Sequence, residues 1–127
     1  MNNLNSVLLE GELIKNPDYQ TGGKNSPVCR FTLASNRFFK SDTGIEKETC
    51  CLDIEARGKL AAQCYQYGRQ GRGARVVGRL KQEHSRTAEG NPLARIVLVA
   101  EHIEFRPLMT PEQKQLFRDR EDHDMGR

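Results

Sequence analysis

The side chains best suited to chemistry in this chain are its cations. Between positions 56 and 82 lie Arg57, Lys59, Arg69, Arg72, Arg75, Arg79 and Lys81, with no carboxylate among them, although the whole 127-residue chain carries only +3. Charge is concentrated here rather than spread. Alternation along Val76, Gly78 and Leu80 marks a half-buried strand, which puts Arg75, Arg79 and Lys81 together on its other face. A row of cations on a strand can follow a polyanion backbone, and the same row can also be no more than a solvated face.

Other chemistries find little support. Nucleophilic or acid–base catalysis needs a nucleophile beside a base, or paired carboxylates, and no such motif or phosphate-cradling loop appears. The cysteines are Cys29, Cys50, Cys51 and Cys64, without a Cys-x-x-Cys pair, and His84, His102 and His123 are scattered. Zinc requires ligands at close, repeated spacing, so reduced thiols acting as small packing residues are the better reading. A non-catalytic protein without metal or cofactor is expected.

The elements that must position the cations follow from periodicity. Val7, Leu9 and Leu13 alternate, with Gly11 on the apolar side, and Asn16-Pro17-Asp18 closes this first strand. A loop of breakers runs through Thr21, Gly22, Gly23, Asn25, Ser26 and Pro27, and Tyr19 is read as part of the loop. Cys29, Phe31 and Leu33 form the core side of a second strand, with Arg30, Thr32 and Ala34 opposite, running on towards Phe38-Phe39. Asp42-Thr43-Gly44 suits a hairpin turn. The third strand covers 49–57 with Leu52, Ile54 and Ala56 inward, and a helix occupies about 59–67, ended by Gly68 and Gly71. The fourth strand spans 75–81 and the fifth 94–105, across a loop centred on Glu89-Gly90-Asn91-Pro92.

Gly11 and Gly78 both stand between inward aliphatics, where a tightly coiled sheet has no room for a side chain. Three strands, a helix and two strands bury their edges best by closing. The expected fold is therefore all-β with one helix: a five-stranded Greek-key OB-fold barrel, with the helix plugging one end between strands three and four.

Residues 1–107 form this domain and hold 16 Lys and Arg against 12 Asp and Glu, net +4; residues 108–127 hold 4 against 5, net −1. The latter read as a short charged tail, with a helix start at Thr110-Pro111 and few core residues. No apolar run approaches a membrane span and no signal pattern precedes Leu4, so a cytoplasmic location is expected.

Six stretches stand together in this chain: 5–13 followed by Asn16-Pro17, 31–36, Lys47-Glu48-Thr49, Gly58-Lys59-Leu60-Ala61, 67–71 and 76–80. Through them the chain, over about 4–107, resembles the bacterial single-stranded DNA-binding protein family. Six segments in order and spacing make a specific signal. The resemblance implies an OB-fold assembled as a homotetramer, bacterial and nucleoid-associated. It also implies sequence-independent binding and protection of single-stranded DNA in replication, recombination and repair.

Such binding combines a cationic groove with aromatic faces on which bases stack, at about 1–3 kcal/mol per base. The family's four stacking positions correspond here to Phe38, Cys51, Arg57 and a site near Ser85, so only the first is aromatic, and the chain has no tryptophan. Arginine can stack on a base while pairing with phosphate, which suits Arg57 and Arg86. The candidate DNA-binding set is Arg37, Phe38, Lys40, Arg57, Lys59, Arg72, Arg75, Arg79, Lys81 and Arg86. Asp53 and Glu55 share the face of Cys51 and Arg57, where carboxylates repel phosphate locally. The tail ends in Met125-Gly126-Arg127 rather than in the apolar tip by which the family recruits partner enzymes, which counts against such recruitment. A dimeric OB-fold accessory module of replication restart, acting mainly through protein partners, is the alternative that the missing aromatics favour.

Overall fold

A computed structural model describes residues 1–21 and 27–107, together with 112, 115 and 116. The tail helix start and most of the breaker loop lie outside the described residues. Six strands and one helix follow in order: β1 (Val7–Leu13), β2 (Asp18–Gln20), β3 (Val28–Ser41), β4 (Gly44–Arg57), α1 (Lys59–Tyr67), β5 (Gly73–Arg86) and β6 (Pro92–Phe105). They form one sheet in the order β1-β5-β6-β4-β3-β2, which closes through a pairing of β1 with β3. All pairings are antiparallel except β4 with β6. The five long strands make the expected OB-fold barrel, and the helix stands between the third and fourth of them.

The alternating apolar residues meet inside. Leu13, Phe31, Leu33, Ile54, Val76, Leu98 and Ile103 are buried, together with Cys29 and Cys64. Helix α1 buries Ala61 and Cys64 in this core and packs Leu60 against it. Burial pushes the Cys64 thiol up to about 12 and the Cys29 thiol up to about 11, so both behave as small apolar groups.

Gly11 and Gly78 play the expected part. A Cβ at Gly11 would lie 2.3 Å from the Ala34 carbonyl oxygen, and one at Gly78 would lie 2.0 Å from that of Val99. The barrel closes at one and coils at the other. Beside Gly78 the β5–β6 register shifts, with Val77 opposite His102 but Gly78 opposite Ala100. Glu101 is the extra residue of this bulge, which is why the inward series Leu98, Ala100 resumes at Ile103 instead of at 102.

Two expectations are corrected. Residues 18–20 are not loop but a short strand, pairing Tyr19 with Cys29, and the Tyr19 ring stacks on that of Tyr65 with centroids 4.8 Å apart. Three residues bounded by breakers show no periodicity, and only the helix beside them supplies the ring that Tyr19 packs on. The two hairpins are also longer than their apolar cores suggest: β4 begins at Gly44 and β5 runs to Arg86, so Ser85 and Arg86 belong to a strand. Backbone pairing continues past the barrel, where polarity no longer alternates. Gly68 ends the helix as expected, and does so in extended backbone (φ −77°). Its lack of a side chain matters because a Cβ would fall 2.5 Å from the Cys64 carbonyl oxygen and 2.7 Å from the Pro17 ring.

Candidate nucleic-acid interface

The register of the strands defines one continuous outer face. Antiparallel pairing places Arg30 opposite Glu55, Thr32 opposite Asp53, Ala34 opposite Cys51 and Phe38 opposite Lys47. Parallel pairing sets Asp53 beside Val97 and Glu55 beside Val99, and β5 adds Lys81 opposite Val97 and Arg79 opposite Val99. Phe38, Cys51, Arg57 and Ser85 all lie on this face, since each shares the strand parity of these residues. Phe38 is 44% exposed, as a ring available for stacking must be.

At the centre of the face stands Glu55. Its side chain is only 2% exposed, yet three cations from three strands converge on it. Arg30 of β3 reaches it at 3.1 Å, Lys81 of β5 at 3.2 Å and Arg57 of β4 at 3.4 Å. Burial pushes the Glu55 carboxyl up, but the hydrogen bonds from Arg30, Lys81 and Arg57 outweigh it and hold the group below the ordinary carboxylate range. A further ring of contacts joins this cluster. Lys81 also pairs with Glu83 at 3.5 Å, Arg95 bridges Glu83 at 3.2 Å and Asp53 at 3.1 Å, and Thr32 donates to Asp53 at 2.7 Å. Glu55 thus sits beneath its cations, whereas Asp53, with its side chain 41% exposed, is paired with Arg95 but still open to solvent.

The other candidate residues divide by what they touch. Arg79 and Lys59 are exposed and make no hydrogen bond or ion pair among the described residues. Lys40 lies on the Phe38 side of the β3–β4 hairpin, opposite Ile45. Arg37 lies on the other side, its guanidinium 5.0 Å from the Phe39 ring centroid. Arg72 ties the barrel end together: it donates to the carbonyls of Arg106 at 2.9 Å and Tyr67 at 2.8 Å and covers the Phe105 ring. Arg86 donates to the Gly90 carbonyl at 3.0 Å across its hairpin turn. Arg75 pairs with Glu10 at 2.9 Å, and Arg106 pairs with the same carboxylate. Hydrogen bonds from Arg106 and then Arg75 hold Glu10 low.

Three cations of the face escaped sequence reasoning. Arg30 was legible, since alternation along β3 sets it on the side of Phe38. Lys47 was legible through the turn, because the pairing of Ser41 with Gly44 carries Phe38 to Lys47. Arg95 was not, because its place depends on the parallel pairing of two strands far apart in the chain. With these three, the face from the β3–β4 hairpin to Arg79 holds Arg30, Lys40, Lys47, Arg57, Arg79, Lys81 and Arg95 against Asp53, Glu55 and Glu83. Among the described residues no cluster of His, Cys, Asp and Glu is arranged to hold a metal, and no helix is long and apolar enough to cross a membrane.

Comparison with known proteins agrees with this architecture. The model of the single-strand binding protein family matches residues 4–106. A single-stranded DNA-binding protein of Aquifex aeolicus is 31% identical over 120 residues, covering 94% of this chain and 80% of the relative. Single-stranded DNA-binding protein 1 of Staphylococcus aureus is 33% identical over 113 residues, covering 88% and 72%. Among solved structures, the Plasmodium falciparum SSB in complex with ssDNA superposes with a TM-score of 0.75 at 21% identity, covering 84% of this chain and 98% of that one. The small single-stranded DNA-binding protein of Streptomyces coelicolor gives 0.67 at 22% identity, covering 84% and 96%. With nearly the whole barrel matched by the family model, and relatives above 30% identity along most of their length, this chain belongs to the single-strand binding protein family.

Proposed function

We propose that the protein binds single-stranded DNA without sequence preference, and protects it during replication, recombination and repair, as a cytoplasmic protein without catalytic activity. The observation that carries this reading is the outer face of β3-β4-β6-β5, with cations in excess of carboxylates and Phe38 exposed at one end. Phosphates run past Arg57, Lys81 and Arg79, helped by Arg30 and Lys47, while Phe38 and Lys40 engage the strand at the β3–β4 hairpin. Lys59 extends the path at the edge beyond Arg57. Arg37, Arg72, Arg75 and Arg86 lie further from this line or are held by other groups, and they add long-range positive potential more than direct contacts.

Because three of the four stacking positions hold Cys51, Arg57 and Ser85, counterion release supplies most of the affinity. For single strands the logarithm of affinity falls by about 0.7 per phosphate contact for each decade of salt. Three or four contacts then predict a loss on the order of 10²- to 10³-fold in oligo-dT affinity between 50 and 500 mM salt. A titration in which affinity barely changes over that range sinks the reading.

The exposed edge of β1 supports a homo-oligomer. Residues 7–11 pair with β5 on one side, whereas β3 meets β1 only at Glu12 and Leu13, and Leu8 is 65% exposed. We assign a homotetramer, checked by sedimentation mass. A mass of two chains would favour the second reading, a dimeric accessory module of replication restart that works mainly through protein partners, which the sparse aromatics support.

A further inference from the structure

A carboxylate in the middle of a polyanion-binding face should weaken binding. Glu55 sits in that position, and its geometry argues the opposite. The side chain is 2% exposed, while Arg30, Arg57 and Lys81 above it remain 45%, 48% and 36% exposed. Each arginine therefore spends one or two N–H groups on Glu55 and turns the rest to solvent, while Lys81 divides its ammonium between Glu55, Glu83 and solvent. Guanidinium has five donors and ammonium three, so the capacity to bind phosphate survives the ion pair. Three like charges from three different strands would otherwise repel one another and sample many rotamers. One carboxylate below them draws them to a single point, and even with Glu83 beside Lys81 the group keeps a net positive charge.

Resting on the proposed binding of single-stranded DNA, we propose that Glu55 is a positioning residue of the interface: it holds Arg30, Arg57 and Lys81 as a prearranged phosphate tripod. Two opposing effects fix the sign of the test. Removing one negative charge some 6 Å from a phosphate strengthens binding by about threefold in a water-like dielectric, and by about tenfold at the dielectric of a near-surface pair screened by 150 mM salt. Each long side chain that must instead be ordered during binding weakens it by about two- to tenfold, and the tripod has three. Ordering wins.

The Glu55→Gln variant keeps the shape and removes the charge. It is expected to bind oligo-dT about tenfold more weakly than the wild type at 150 mM salt. Glu55→Asp, which restores the charge on a shorter arm, is expected to recover part of the loss. A folded Glu55→Gln protein that binds as tightly as the wild type, or more tightly, overturns the proposal. If that variant does not melt cooperatively, Arg30→Gln, Lys81→Gln and their double variant decide instead. A tripod acting as a unit makes the double variant lose little more than the worse single one, whereas losses that simply multiply overturn it. A wild-type chain that fails to bind oligo-dT removes the functional reading and this inference together. One that binds, with Glu55→Gln at least as tight, removes the inference alone.

Discussion

Two carboxylates in this barrel each gather arginines, and they do so in different settings. Glu55 lies on the central strand β4, nearly sealed from water, under cations from β3, β4 and β5. Glu10 lies on β1, 40% exposed, and clasps Arg75 of β5 and Arg106 just beyond β6. The chemistry is the same and the setting is not. In a half-exposed clasp the charges keep much of their hydration, so the pairs add little to stability and mainly fasten the barrel's closing seam. At the sealed site the carboxylate cannot fall back on water, and its cations have no other partner as near.

The largest test of that contrast is truncation. Glu55→Ala is expected to cost about 2–3 kcal/mol of folding stability, somewhat below the usual figure for a broken buried pair because the cations themselves are half-exposed. Glu10→Ala is expected to cost less than about 1 kcal/mol. Urea unfolding of the two variants beside the wild type measures both, and equal losses would erase the distinction.

A smaller effect lies in the pH dependence. Unfolding returns Glu55 to the ordinary carboxylate value of 4.5, whereas the folded chain holds it lower. The unfolded state therefore takes up this proton first as pH falls. The contribution of the cluster is complete above about pH 4.5 and is lost as pH drops through the folded value. Glu10 shifts in the same direction but is more exposed. Thermal melts between pH 6 and 3 should show Glu55→Gln flattening the acid side of the profile more than Glu10→Gln does. The reverse order would place the stronger coupling at the clasp.

Much of the fold was legible because its cause is local. The helix bounds follow from the spacing of Leu60, Ala61 and Cys64, and alternation marked each long strand. Gly11 and Gly78 stood out because a glycine among strand aliphatics has a steric reason to be there. The site was legible to a lesser degree. Alternation alone sets Arg57, Cys51, Asp53 and Glu55 on one face, but not what lies over them. Asp53 and Glu55 read in sequence as carboxylates facing phosphate, and in the folded protein Glu55 is the floor beneath Arg30, Arg57 and Lys81 while Asp53 is tied to Arg95. That reversal needs β6 inserted between β4 and β5, an adjacency between segments some forty residues apart. Arg72 and Arg75 were missed as structural ties for the same reason, since their partners Arg106 and Glu10 sit at the two ends of the barrel sequence.

By itself the sequence determined the barrel, its helix, the face that carries the cations and the near absence of aromatic rings on it. Each of these follows from periodicity or composition, which are properties of neighbours along the chain. Only the tertiary structure decided which cations are free, which are tied to carbonyls, and which gather over Glu55. Electrostatic partnership depends on distances of a few ångströms between strands, and those distances do not exist until the sheet has closed.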